Sequence, residues 1–280
     1  MIIEHDPNKV REQVKAWKKE GLTVGLVPTM GYLHEGHKSL IDRAVKENDR
    51  VVVSIFVNPI QFGPTEDLDK YPRDLNADSK LCEESGVSLV FNPQPSDMYA
   101  DDFSTYIKES GPTEELCGKS RPVHFSGVCT VVNKLFNIAL PDRAYFGQKD
   151  AQQLAVVRRM VRDLSMDIKI VGCPIVREPD GLAKSSRNIY LSPEERKAAL
   201  VLSRAVKKGQ ELVDAGETDG DKIIDQMKAL IEAEPLAKID YVEMVSWDDI
   251  KVHHKVDGPI LCAMAVFIGN TRLIDNFIRE

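Results

Sequence analysis

A chain of 280 residues that is 42% hydrophobic and 29% charged can bury a sizeable core, as one large domain or two moderate ones. Its formal net charge of −7 disfavours a broad nucleic-acid footprint, no apolar stretch is long enough to span a bilayer, and the first residues lack the layout of a signal peptide. Five cysteines, scattered and without a C-x-x-C pair, read as reduced thiols, so the expected setting is cytoplasmic.

In chain order, Asp6-Pro7 reads as the cap and first turn of a helix ending at Gly21. The apolar run 22–27 is expected as a buried parallel strand, followed by an amphipathic helix from about 37 to 48 and a second buried strand at 51–57. A polar loop with Pro59, Gly63 and Pro64 runs from Asn58 to Pro72. A helix at about 73–85 and a strand at 87–91 repeat the unit. A buried helix at 128–140, a strand at 143–146, a helix at 150–164 and a strand at 168–171 complete this half. Such alternation predicts a Rossmann-like, doubly wound α/β sheet.

Beyond Cys173-Pro174 the pattern changes. Pro179-Asp180-Gly181 marks a tight turn, and Ser192 with Glu195 forms a capping box that opens a long helix. A second helix is expected at about 219–233, then strands at 239–245, 260–267 and 271–277. Two domains are expected: residues 1–175, and a smaller α+β domain at 176–280 that acts as a lid.

Three stretches carry chemistry. The first is Met30-Gly31-Tyr32-Leu33-His34-Glu35-Gly36-His37, where a strand hands over to a helix N-terminus. Free backbone N–H groups, the helix dipole, close-approach glycines and two imidazoles there suit a polyanion such as a nucleoside triphosphate. Zinc is disfavoured, since no third His or Cys lies nearby and catalytic zinc uses three protein ligands; no metal-ligand set is expected. The second is Gly147-Gln148-Lys149-Asp150, directly after a predicted strand, where ligands of open α/β sheets bind. Lys149 can meet a phosphate and Asp150 can cap the next helix. The third is Lys184-Ser185-Ser186-Arg187, in which two cations flank two hydroxyls and Arg187 can neutralise a leaving diphosphate. The uncharged amides Asn58, Gln61 and Gln153 can orient a polar organic substrate. No P-loop, dinucleotide fingerprint or nucleophile elbow is present.

In order, P-T-M-G-Y-L-H-E-G-H (28–37), S-I-F-V-N-P-I-Q-F (54–62), Y-P-R-D (71–74), F-S-G-V (125–128), F-G-Q-K-D-A-Q-Q (146–153) and D-G-L-A-K-S-S-R-N (180–188) resemble the pantothenate synthetase family. H-E-G-H and K-S-S-R resemble the two signatures of the wider nucleotidyltransferase superfamily. The resemblance implies an AMP-forming ligase in which pantoate and ATP give pantoyl adenylate and diphosphate. The β-alanine amine then attacks, giving pantothenate and AMP. It further implies magnesium accompanying ATP, no tightly bound prosthetic group, a homodimer, and no nucleic-acid or membrane partner. Carried onto matching positions, Met30 to His37, Gly147 to Asp150, Val176 and Lys184 to Arg187 would line ATP. His34, His37, Lys149 and Arg187 would act in catalysis, with His37 the proton donor. Gln61 and Gln153 would bind pantoate, with Gln61 also near β-alanine. Lys184 stands where the family usually has Met or Leu, so it would either add a phosphate contact or point to solvent.

Two other readings use the same residues. One is a transferase of this fold that leaves a stable adenylylated product. The other is a passive nucleotide-binding protein, for which so complete a charge-stabilising set would have no use. Ligation to tRNA is disfavoured by the acidic chain and the lack of an evident anticodon module.

Overall fold

Six short, largely apolar runs pair into one sheet in the computed structural model, which describes residues 1–64 and 66–280. They are β1 (Ile2–Glu4), β2 (Val24–Thr29), β3 (Arg50–Ile55), β4 (Leu89–Phe91), β5 (Arg143–Gly147) and β6 (Lys169–Cys173), in the order β1-β4-β3-β2-β5-β6. Every pairing is parallel. Leu26 and Val51 to Val53 are at most 1% exposed, the continuous apolar reading expected of strands covered on both faces. The chain steps outward from β2 through β3 to β4 and then returns to β5 on the other flank. The carboxyl ends of β2 and β5 therefore bracket the switch point of the sheet, the ligand-binding position of this architecture.

The connecting helices are α1 (Pro7–Lys19), α2 (Glu35–Glu47), α3 (Leu75–Glu84), α4 (Pro95–Met98), α5 (Cys117–Ser120), α6 (His124–Ala139) and α7 (Ala151–Asp163). Several boundaries differ from the sequence expectation: α6 begins at His124 instead of 128, β3 ends at Ile55 instead of 57 and β4 begins at Leu89 instead of 87, and two further shifts have a local cause. β2 runs through Pro28 because β5 pairs with it only at Gly25 and Leu26, so one flank is open where the proline lacks its N–H. α2 begins at Glu35 instead of 37 because His34 itself is the cap. β1, α4 and α5 are too short to show a period and were not expected.

The second sheet is antiparallel: β7 (Ala237–Ser246), β8 (Ile260–Ile268) and β9 (Thr271–Arg279), in that order. α8 (Pro193–Ala198), α9 (Leu200–Asp214) and α10 (Gly220–Glu232) precede it. The expected single helix from Ser192 is broken at Ala199, whose carbonyl accepts from Leu202 N three residues on, a local tightening. β8 sorts its side chains by alternation. Cys262, Met264 and Val266 join the core under the helices, whereas Leu261 and Ala263 pack with Leu116, Ala151, Val245 and Ile250.

The chain divides into two compact units, one of residues 1–109, 123–148 and 156–174, the other of 110–122, 149–155 and 175–280. In the second unit Gln152 pins the 112–117 loop. Its Nε2 donates to Pro112 O (2.9 Å) and Glu115 O (2.7 Å), and its Oε1 accepts from Cys117 N (3.0 Å). All five cysteines are buried and none forms a disulfide. Among the described residues, no helix is long and apolar enough to cross a membrane.

In the first unit, the segment before residue 110 docks on α6 through Ile107 N to Thr130 Oγ1 and Ser126 Oγ to Ile107 O, each 3.0 Å. Burial there pushes the Glu109 carboxyl up to about 7, with Asp163 adding and Arg159 and Arg162 opposing. The native state thus holds a proton that the unfolded chain releases near 4.5. Stability therefore falls as pH rises from about 4.5 to 7, by at most about 3 kcal/mol. Urea unfolding at pH 5 and pH 7.5 is expected to show that decline in the wild type and a flatter one in Glu109→Gln.

Candidate active site

At the end of β2 the chain must reverse sharply to start α2, and two residues take left-handed backbone to do so: Gly31 (φ +86°) and Tyr32 (φ +52°). Asp78 holds the reversal in place. Its carboxylate accepts from Tyr32 N (2.8 Å) and Leu33 N (2.6 Å), and the residue is 2% exposed. Burial raises its pKa against the lowering effect of those two N–H groups. A Cβ on Gly31 would lie 3.0 Å from Asp78 Oδ2 and from Ile55 Cγ2, so only glycine fits. The turn is further tied by Gly31 N to Thr29 Oγ1 (3.2 Å) and Thr29 Oγ1 to Ser54 O (2.7 Å).

The two imidazoles are joined as the capping box of α2. His34 Nδ1 accepts from Gly36 N (3.1 Å), His37 Nδ1 accepts from His34 N (3.3 Å), and the ring centroids lie 4.1 Å apart. Because each Nδ1 accepts a backbone N–H, the neutral rings carry their proton on Nε2. Both histidines can thus present Nε2–H donors at the positive end of a helix. Gly147, the last residue of β5, and Gln148 after it stand at the end of the strand on the other side of the switch point.

Gln61 lies beside this loop. It sits in a 3₁₀ turn, Pro59–Gln61, and its Nε2 is 3.1 Å from Met30 Sδ. The turn packs directly on α6, where a Cβ on Gly127 would come within 2.5 Å of Ile60 O and Gln61 Cα. His124 Nδ1 meets Gln61 O at 3.1 Å, and Asn58 Nδ2 donates to Gln61 Oε1 (3.0 Å) and Gly127 O (3.2 Å). Gln61 and Asn58 are 7% and 1% exposed, so these amides are built in, unlike ordinary surface glutamines.

The remaining candidates belong to the second unit. Lys149 and Asp150 lie in a 3₁₀ turn, 148–150, that runs straight into α7. The Asp150 carboxylate lies 3.9 Å from Lys149 Nζ, and Asn276 Nδ2 donates to Lys149 O (2.9 Å). Gln153 is half-exposed, whereas its neighbour Gln152 is spent on the loop described above. Val176 and Lys184 are brought opposite each other by a hairpin around the Pro179-Asp180-Gly181 turn. Lys184 N donates to Val176 O (2.9 Å) and Glu178 N to Leu182 O (2.8 Å), with Gly181 at φ +98°. Arg177 ties the hairpin to β9 through a bidentate pair with Asp275 (2.7 and 2.9 Å), itself 1% exposed. Lys184 Nζ lies 3.1 Å from Glu178 Oε2, so its charge has a carboxylate partner within the hairpin. Ser185 Oγ accepts from Arg187 N (3.3 Å) and starts a 3₁₀ turn at Ser186–Tyr190 in which Ser186 is buried.

Asp78 and His124 were not found from sequence, although Asp78 left a trace. It falls on the apolar stripe Leu75, Asp78, Cys82 of α3, a carboxylate at a core position. Asp78→Asn keeps the size but sets an NH₂ against one of the two N–H groups. It is expected to lower stability by about 1–3 kcal/mol and to reduce kcat/KM, measured by urea unfolding and steady-state kinetics. Unchanged values in both would show that the carboxylate does not hold the loop.

A family model described as pantoate-beta-alanine ligase matches residues 2–278. The pantothenate synthetase of Ruminiclostridium cellulolyticum is 63% identical over 270 residues, covering 96% of each chain. That of Clostridium acetobutylicum is 62% identical over 277 residues, covering 99% of each. Among solved structures, pantothenate synthetase from Thermus thermophilus superposes with a TM-score of 0.92 at 44% identity, covering 99% of both chains. The pantoate-beta-alanine ligase of Francisella tularensis, complexed with beta-gamma ATP and beta-alanine, superposes with a TM-score of 0.79 at 35% identity, covering 99% of this chain and 97% of that one. With its parallel sheet, its histidine-capped helix and matches across nearly its whole length, the chain belongs to the pantoate–β-alanine ligase family and is a ligase.

Proposed function

We propose that this ligase condenses pantoate with β-alanine in two steps, through a pantoyl adenylate, releasing diphosphate and AMP. The observation that carries the reading is the capping box of α2, which presents two Nε2–H donors at a helix N-terminus beside Gln61. Support for the substrates comes from the family and from the Francisella tularensis relative, whose structure is a complex with beta-gamma ATP and beta-alanine.

In the first step a pantoate carboxylate oxygen attacks the α-phosphorus of ATP and the bond to diphosphate breaks. Two anions must approach, so their repulsion sets the barrier. The proposed roles follow from that. Met30 to His37 lie along the nucleotide, with the His34 and His37 donors on phosphate oxygens and His37 giving the hydrogen bond that strengthens as charge builds. Gly147 and Gln148 supply backbone approach, Lys149 an ammonium, and Asp150 orients that lysine. Val176 and Lys184 to Arg187 complete the set, with Arg187 taking the charge of the departing diphosphate. Because Lys184 is paired with Glu178, its part is to hold the hairpin that carries Ser185 and Arg187. Gln61 and Gln153 orient pantoate. In the second step the β-alanine amine attacks the acyl carbon, AMP leaves and the amine loses its proton.

Among the described residues no group of three His, Cys, Asp or Glu side chains is placed to hold a metal. A magnesium ion arriving with ATP would take its ligands from phosphate oxygens and water. A cytoplasmic homodimer remains part of the proposal, in keeping with five buried thiols that form no disulfide.

The test is product analysis with ATP, pantoate and β-alanine. AMP and pantothenate are expected in equal amounts, with pantoate-dependent exchange of diphosphate into ATP when the amine is withheld. Formation of ADP, or exchange that ignores pantoate, would overturn the two-step reading. Accumulation of an adenylylated product in the presence of β-alanine would favour a transferase. His37→Ala is expected to lower kcat about 10²-fold or more, with the fold retained by circular dichroism.

A further inference from the structure

Next to the Gln61 amide stands a tyrosine that none of the readings above uses. Tyr99 follows α4, and its Oη donates to Asn58 Oδ1 at 2.7 Å. Its ring is held by an aromatic row, with Phe56 and Phe103 at centroid separations of 6.3 and 4.9 Å and Tyr106 beyond Phe103 at 5.3 Å. Lys134 of α6 lies over this row, its ammonium 5.6 Å from the Tyr99 centroid and 5.3 Å from that of Phe103. Burial keeps the phenol pKa well above its ordinary value, so the hydroxyl stays a donor throughout the working range of pH.

The direction of the hydrogen bonds follows from one atom that cannot change role. Gly127 O, a backbone carbonyl, only accepts, so the Asn58 atom facing it at 3.2 Å is the NH₂ group. That same NH₂ faces Gln61 at 3.0 Å, so the Gln61 atom it meets is the carbonyl oxygen. The other end of the Gln61 amide, beside Met30 Sδ, is therefore the NH₂. This leaves Asn58 Oδ1, in a residue 1% exposed, as an acceptor that needs a donor, and Tyr99 supplies it. Without that donor the buried Asn58 acceptor is left unsatisfied, which weakens the hold on the amide pair.

We propose that Tyr99 is a positioning residue: acting through Asn58, it fixes the Gln61 amide with its NH₂ towards the substrate, so that Gln61 donates to a pantoate oxygen. The proposal rests on the reading of Gln61 as a pantoate ligand. It adds a residue whose hydroxyl touches no substrate yet sets substrate affinity.

Tyr99→Phe removes the hydroxyl and keeps the ring in its row. Kinetics of AMP release are expected to show a KM for pantoate raised about tenfold, with kcat and the KM for ATP within twofold of wild type, because the lost interaction is made equally in ground and transition states. Phe103→Leu loosens the row but leaves the hydroxyl in place. It is expected to lower the unfolding midpoint without moving the pantoate KM. A pantoate KM within twofold of wild type in Tyr99→Phe, or the same shift in Phe103→Leu, would reduce Tyr99 to a packing residue and overturn the proposal. The side-chain ¹H–¹⁵N resonances of Gln61, assigned by their loss in Gln61→Glu, give a readout that needs no turnover. They are expected to shift or broaden in Tyr99→Phe. Unchanged resonances would overturn the relay, whereas shifted resonances in Tyr99→Phe together with a wild-type protein that forms no AMP would sink the assigned reaction and leave the relay standing.

Discussion

Burying one carboxylate against two backbone N–H groups sets the shape of the loop between β2 and α2. After β2 the backbone turns through two left-handed residues, a conformation that a chain does not hold unaided. Asp78 makes it the satisfied state by accepting from Tyr32 N and Leu33 N, and the absence of a side chain on Gly31 lets the carboxylate come that close. Everything downstream inherits this geometry. The chain reaches His34 in extended backbone (φ −137°), His34 becomes the cap, and the register of α2 then places His37 where its ring can return to His34 N.

The consequence for chemistry is that each ring turns its Nδ1 to a backbone N–H. A ring whose Nδ1 accepts a backbone N–H would break its cap on gaining a second proton. In its neutral form such a ring carries its proton on Nε2. The lysine and arginine charges of the proposed reaction are those of Lys149 and Arg187. Lys184, which resembles a third cation in the sequence, is offset by Glu178.

The Asn58 and Gln61 amides follow the same logic of polar groups fixed by backbone. Gly127 lets α6 approach the 59–61 turn within backbone contact, and its carbonyl then sets the direction of the Asn58 and Gln61 amides. A neutral amide with a defined donor end distinguishes a hydroxyl or carboxylate oxygen from an ammonium without adding charge to a crowded anionic site. The aromatic row and Lys134 hold the far end of that chain of hydrogen bonds in a half-buried setting.

By itself the sequence determined the strand–helix alternation, the two fold classes and the blocks that carry the chemistry, because these depend on local periodicity, capping residues and spacing. The capping box at Ser192 and the cap at Asp6 formed as expected for that reason. Interactions between residues far apart in the chain were decided only by the tertiary structure. Asp78 lies 45 residues from Leu33, and Tyr99 is 41 residues from Asn58, so no local pattern links them. The same holds for Arg177 with Asp275, separated by 98 residues. Burial supplied what sequence could not: it turned a carboxylate, two amides and a phenol into a network in which each polar group has a single satisfied orientation, since an unpaired one costs too much away from water.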